Sequence, residues 1–399
     1  MTTDPQGIAT APVARARVRG LGASKVREVA NAGFGRSDVK RFWFGEGDQP
    51  TPLFIREAAM AALADGRTFY THNHGAADLR AALQAYLERL HGRAFDIDSV
   101  SVSSAGVSAL MVTMQAILDP GDRVVAVTPV WPNLTEIPAI LGAEVVRVGL
   151  EPRDGRWTLD LDRLLAAITP GTRLLLINSP NNPTGWTLPA AARAPLLEHC
   201  RRLGVWILTD DVYERVAFGE AAAAGVVTAP SLLALADPSD RLVSTNSFSK
   251  AWRMTGWRLG WIVAPLGLRE DLGKLLEYNT SCAPDFVQAA GVVALEQGEA
   301  SVEALRLEMA ARRDRVVAGL KRLPGVEATR ADGGLYAFFR IDGREDSVAV
   351  AKRLIAEAGL GLAPGAAFGP EGEGWLRWCF ATSEAAIDDG LGRLERWLG

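Results

Sequence analysis

Ser247-Phe248-Ser249-Lys250-Ala251-Trp252-Arg253-Met254-Thr255-Gly256-Trp257-Arg258-Leu259-Gly260-Trp261 is the stretch on which the reading of this chain turns. Arg241 to Ser247 predicts a strand entering it and Leu259 to Ala264 a strand leaving it, so Lys250 falls on a tight connection close to Trp252, Trp257 and Trp261. Crowding of that kind desolvates an ammonium, lowers its pKa and makes a nucleophilic amine. Ser247 and Ser249 precede the lysine and Arg258 follows it. A guanidinium binds phosphate in bidentate fashion, and hydroxyls complete an anion site. A reactive amine beside an anion cradle suits a phosphorylated aldehyde. The segment alone leaves a second reading open, a surface lysine in a Trp-rich core turn.

Working outward, apolar runs recur near 100–102, 123–127, 144–148, 173–177, 205–209 and 241–247, several of them continuous, as in strands buried on both faces. Helical patterns at 107–118 and 189–203 separate some of them, which predicts an α/β plan with a mostly parallel sheet between helices and right-handed crossovers. Ligands of such sheets bind beyond the carboxyl ends of the strands. There the chain places Ser103-Ser104-Ala105-Gly106 ahead of a helix starting at Val107, a natural phosphate seat of backbone N–H groups. It also places Thr128-Pro129-Val130-Trp131, then Asn178-Ser179-Pro180-Asn181-Asn182-Pro183-Thr184-Gly185, then Asp210-Asp211-Val212-Tyr213. A carboxylate at the end of a buried strand needs a positive partner, and a pyridinium nitrogen is one. Pyridoxal phosphate is the phosphorylated aldehyde that carries such a nitrogen.

The Lys250 segment resembles the Schiff-base signature of the class I/II aminotransferases, pyridoxal-phosphate enzymes of fold type I, and the other segments follow in that family's order over roughly residues 40 to 385. The resemblance implies that Lys250 bonds the cofactor aldehyde and that Ala105, Gly106, Val107, Ser247 and Arg258 hold its phosphate. It further implies that Trp131 stacks on the pyridine ring and Asp210, rather than Asp211, keeps the ring nitrogen protonated. Asn182 and Tyr213 then hydrogen-bond the phenolic oxygen. Pro364 to Gly369 followed by Trp375-Leu376-Arg377-Trp378 resembles the stretch whose arginine clamps the substrate carboxylate, which makes Arg377, with Gly45 and Asn182, the expected substrate contacts. Phe69-Tyr70-Thr71 resembles the element that reaches a neighbouring subunit's phosphate, so a homodimer with shared sites is expected. His72 and His74, beside it, are either substrate contacts or solvated loop residues. No arginine appears around Asn279 to Ala283, where some relatives place one for acidic side chains.

The implied activity is transfer of an amino group between an L-amino acid and a 2-oxo acid by a ping-pong cycle. The alternatives are other chemistry on the same scaffold, a C–S or β-lyase or a decarboxylase, and a regulatory domain that senses the cofactor without turnover. That last reading calls for a DNA-binding unit, and no basic helix-turn-helix is present.

At 399 residues the chain predicts two domains. A large cofactor-binding domain is expected over 49–289 and a smaller α+β domain over 13–48 and 290–399. The second has amphipathic segments at about 300–322, 346–358 and 384–398 and strand candidates at 335–341 and 375–381. Residues 1–12 read as a frayed tail, Arg15 to Gly35 as a short basic helix, Phe42-Trp43-Phe44 as strand-like and Ala221 to Gly225 as a low-complexity loop. Helical patterns are also expected at about 53–64 and 76–90. With 47 acidic against 43 basic residues, a net charge of −4 and no basic run, nucleic acid is not an expected partner. Cys200, Cys282 and Cys379 fit neither a disulfide framework nor a zinc site. No apolar run long enough for a membrane span appears, and the expected location is the cytoplasm.

Overall fold

The computed structural model describes residues 13–218 and 227–399, so the expected tail at 1–12 and the loop at 221–225 lie outside the described residues. Its centre is a seven-stranded sheet. In chain order the strands are β1 (Val100–Ser103), β2 (Arg123–Thr128), β3 (Glu144–Gly149), β4 (Thr172–Asn178), β5 (Trp206–Asp210), β6 (Leu242–Ser247) and β7 (Gly260–Val263). Their order across the sheet is β1-β7-β6-β5-β4-β2-β3. All neighbours run parallel except β7, which is antiparallel to both β1 and β6. The expected α/β class with its mostly parallel sheet is therefore observed.

Burial on both faces explains the continuous apolar runs. Val125, Val127, Leu175, Ile177 and Ile207 belong to the core on one side, and Val124, Ala126, Leu174, Leu176 and Leu208 to the core on the other. Side chains alternate between faces along a strand, so each run feeds both cores at once. Helix Gly106–Ile117 covers one face and helix Ala77–His91 the other.

A smaller four-stranded antiparallel sheet contains β8 (Val326–Ala328), β9 (Tyr336–Ile341), β10 (Ala363–Pro364) and β11 (Trp375–Cys379). Long helices Glu299–Lys321, Ser347–Ala358 and Glu384–Leu398 accompany it, close to the ranges that periodicity predicts. Asp346 and Ser383 cap two of them by accepting the N–H groups of Ala349 and Ala386. Among the described residues no helix is long and apolar enough to cross a membrane.

The N-terminal expectations need correction. Arg15 to Gly35 forms two helices, Ala16–Arg19 and Lys25–Gly33, because Gly20-Leu21-Gly22 interrupts the pattern. The strand is Lys40–Arg41, paired with Leu360–Gly361, and it ends before Phe42. Phe42 and Trp43 are consecutive and both buried. Phe42 still bonds across to Gly361 O and accepts Cys379 N, but the regular strand does not continue through Trp43 and Phe44. Helices Asn133–Leu141, Leu161–Ala167, Arg269–Thr280 and Asp285–Gln297 also form where the sequence reading assigns none. The first contains Pro138, which reads as a helix breaker.

Candidate active site

Beyond the carboxyl ends of β4, β5 and β6 lies a cavity of about 720 Å³, closed on its far side by residues of the smaller sheet. Gly45, Gly106, Val107, Trp131, Asn182, Asp210, Tyr213, Ser247, Lys250, Arg258 and Arg377 all line it. They come from distant parts of the chain and are brought together by the strand order.

Lys250 sits in the turn after β6 and donates from Nζ to the carbonyl of Gly45 at 2.5 Å. Desolvation brings its pKa down to about 8, with Arg377 pushing the same way, so roughly a tenth of the amine is neutral at pH 7. A Cβ at Gly45 would meet the Tyr336 hydroxyl at 1.9 Å, so only glycine lets the backbone carbonyl approach here.

The sheet's alternation turns Asp210 into the cavity and Asp211 to the opposite face, where Thr209 and Ser244 hold it. Asp210 is 5% exposed, and its carboxylate accepts only a 3.4 Å contact from Val212 N. No cation forms an ion pair with it among the described residues. Burial raises its pKa to about 7, and the neighbouring charge of Asp211 adds to the rise.

Asn182 and Arg377 are one unit. Arg377 donates from Nη1 to Asn182 Oδ1 at 2.7 Å and from Nη2 to the Trp43 carbonyl at 2.5 Å. Since a guanidinium only donates, Asn182 must face it with its oxygen, which leaves the amide N–H groups for whatever the cavity holds. Arg377 Nε is buried without a hydrogen-bond partner. The guanidinium lies 4.3 Å from the Tyr336 ring centre and 4.8 Å from that of Phe368.

The anion side is built from backbone as well as side chains. Ala105 and Arg258 are non-glycine residues at φ 110° and 56°, conformations that cost energy and concentrate at functional sites. Ala105 is itself buried and does not line the cavity, but it turns the chain so that helix Gly106–Ile117 begins at the cavity wall. Gly260, on β7, passes directly beneath, where a Cβ would lie 2.7 Å from both Gly106 N and Asn246 O.

Besides Ala105, whose expected place at the phosphate is not on the cavity wall, Tyr70 and the His72/His74 pair fall outside the cavity. Tyr70 is 88% exposed and does not line it. His72 and His74 line a separate surface groove with Arg269 and Gly273. His74 is buried with Nδ1 2.7 Å from Ser101 Oγ, a packed position rather than a substrate contact. Sequence reasoning missed Tyr336, whose hydroxyl is 2.6 Å from that of Tyr213, and Asn178, whose Oδ1 accepts Asn182 N at 2.7 Å. Gly333-Gly334 just ahead of β9 was the available signal for a close approach near Tyr336.

A family model described as aminotransferase class I and II matches residues 41–394. Over 386 residues the chain is 33% identical to an aspartate aminotransferase of Pyrococcus horikoshii, with 96% of each chain covered. Over 334 residues it is 34% identical to an arginine–pyruvate transaminase of Pseudomonas aeruginosa, covering 84% of this chain and 83% of that one. The solved structure of the Thermus thermophilus aspartate aminotransferase with maleate superposes with a TM-score of 0.88 at 32% identity, covering 97% of this chain and 100% of that one.

Proposed function

This chain belongs to the aminotransferase class I and II family and is an aminotransferase; on that premise we propose that it holds pyridoxal 5′-phosphate in the cavity around Lys250. The overall reaction moves an amino group between an L-amino acid and a 2-oxo acid in two half-reactions. When bound, the cofactor supplies an aldehyde that takes up amino groups and a ring that draws electrons from the substrate α-carbon. The protein's own residues do the rest. Lys250 Nζ would anchor the cofactor and would move the proton at the substrate α-carbon, a task suited to an amine with its pKa lowered to about 8. Asp210 holds the proton on the ring nitrogen, and Tyr213 and Asn182 donate to the phenolic oxygen. Ser247, Arg258 and the N–H groups of Gly106 and Val107 hold the phosphate, while Trp131 covers the ring. Arg377 orients the carboxylate that every amino acid carries, and its unpartnered Nε is a donor still available in that site.

The observation that carries this reading is Asp210. A carboxyl 5% exposed, facing a cavity and with no ion-pair partner among the described residues, fits a protonated ring nitrogen as its partner. Screening amino acids one at a time, by the absorbance change as each converts the bound cofactor to its amine form, tests the function and identifies the donor. No change with any amino acid would overturn it.

We also propose a homodimer in which Tyr70 reaches the neighbouring site. Phe69, Tyr70 and Tyr278 are 82%, 88% and 89% exposed, three large aromatics that a single chain leaves uncovered. Sedimentation giving a monomer would contradict it.

A further inference from the structure

Behind the strand that presents Asp210 lies a second, buried polar layer. Asp211 is 4% exposed, and one of its oxygens accepts the hydroxyls of Thr209 at 2.8 Å and Ser244 at 2.6 Å. Ser244 stands directly opposite Thr209 in the parallel register of β5 and β6, so both donors are fixed by the sheet itself. Next in this layer is Glu214, 3% exposed, which accepts Asn246 Nδ2 at 2.7 Å and the Tyr86 hydroxyl at 3.4 Å. Burial pushes both carboxyls up; the charge of Asp211 adds to the rise at Glu214, and Arg215 and the two hydrogen bonds only partly offset it. Two short hydroxyl bonds favour charge on Asp211, whereas Glu214 has one short bond and one long one. Asp211 is thus the member of the pair that carries the charge at neutral pH.

The charged groups around this layer leave that charge unneutralised. Arg215, the cation from the same turn, is engaged with Glu299 and lies 5.9 Å from the centre of the Tyr86 ring. From helix Ala77–His91 comes Tyr86, and from β6 and β7 come Asn246 and Trp261, none of them cationic. Across the sheet, on the cavity side, the facing groups are Asp210 and Lys250. No ion pair to Asp211 forms among the described residues.

We infer that Asp211 is a positioning residue for the reaction: held as a carboxylate behind the sheet, it strengthens the grip of Asp210 on the proton of the cofactor ring nitrogen. A negative charge one residue away, in a buried setting, makes a proton held at Asp210 harder to remove. The ring nitrogen, sharing its proton with Asp210, gains proton affinity from a group that never touches it. The inference rests on the proposed role of Asp210.

The test is Asp211→Asn, an isosteric change whose amide oxygen still accepts both hydroxyls while the charge disappears. The enzyme is loaded with cofactor labelled with ¹⁵N at the ring, and the nitrogen shift is followed against pH. The nitrogen should lose its proton about one pH unit lower than in the wild type, a roughly tenfold loss of proton affinity. Turnover should fall without a change in KM, since Arg377 is untouched. Ser244→Ala, which removes one donor to the carboxylate, should shift the titration in the same direction by less. An unchanged titration in whichever of these variants folds and binds cofactor overturns the inference. Asp210→Asn, run alongside, separates the two levels. If it too leaves the titration unchanged, the role of Asp210 is wrong; if it alone shifts the nitrogen, only Asp211 is misassigned.

Discussion

Replacing Arg377 with alanine removes the group that we assign to the substrate α-carboxylate. The wild-type guanidinium is 4% exposed, fixed by Asn182 and the Trp43 carbonyl, and set between the rings of Tyr336 and Phe368, so a carboxylate meeting it is desolvated. Truncating one partner of a buried charge pair costs about 2–5 kcal/mol. At 1.36 kcal/mol per factor of ten, that is a loss of roughly 30- to 5,000-fold in kcat/KM. The loss should be of similar size for every amino acid, because the α-carboxylate is common to all. The alanine variant also leaves the buried Trp43 carbonyl without its donor, at a cost to stability of about 1–3 kcal/mol, so thermal unfolding is measured in parallel. Single-turnover absorbance with several amino acids gives the binding constant and the rate separately, and Arg377→Lys checks whether charge alone suffices. A defect confined to one amino acid, or loss of cofactor at intact stability, would refute the assignment.

In cofactor-free protein, Asp210→Asn should be more stable than wild type at neutral to alkaline pH. The folded-state pKa of Asp210 is raised to about 7, so between about 4 and about 7 the unfolded chain gives up a proton that the folded one retains. Folding loses stability as pH rises through that window, and the asparagine variant escapes this loss. Denaturant titrations should show the two proteins converging below about pH 4, and a constant difference across pH would contradict the burial argument. Gly260→Ala should weaken both fold and phosphate binding, because its Cβ would lie 2.7 Å from Gly106 N and Asn246 O, backbone atoms with little room to yield. Overpacking of this kind costs about 1–3 kcal/mol; unaltered cofactor affinity and melting temperature would show that the backbone there is more compliant than its packing implies.

The parts of this molecule written as local pattern were legible in its sequence. Val124 to Val127 and Leu174 to Ile177 announce buried strands because both faces of the sheet demand apolar residues. Lys250, Asp210 and Asn182 stand out because each interrupts or follows such a run with chemistry that a buried position does not tolerate without reason. What the sequence hid was long-range. Tyr336 reads as an ordinary strand residue, and only the fold brings it against Tyr213 and Arg377. Asp211 appears interchangeable with Asp210 until the pleat turns them to opposite faces. The helix Asn133–Leu141, unassigned in the sequence, tolerates Pro138 within it and buries Leu134 and Ile137. Phe42-Trp43-Phe44 has strand composition, yet packing of Trp43 against Gly33 and Gly361 fixes the local backbone instead.

The central claim is that Lys250 holds the cofactor covalently between turnovers. Borohydride reduction of the cofactor-loaded enzyme fixes that bond, and peptide mapping then locates the label. A single modified peptide carrying Lys250 is expected, and no fixed label in Lys250→Ala. A label on Lys25 at the cavity mouth, or on the surface residue Lys274, would contradict it.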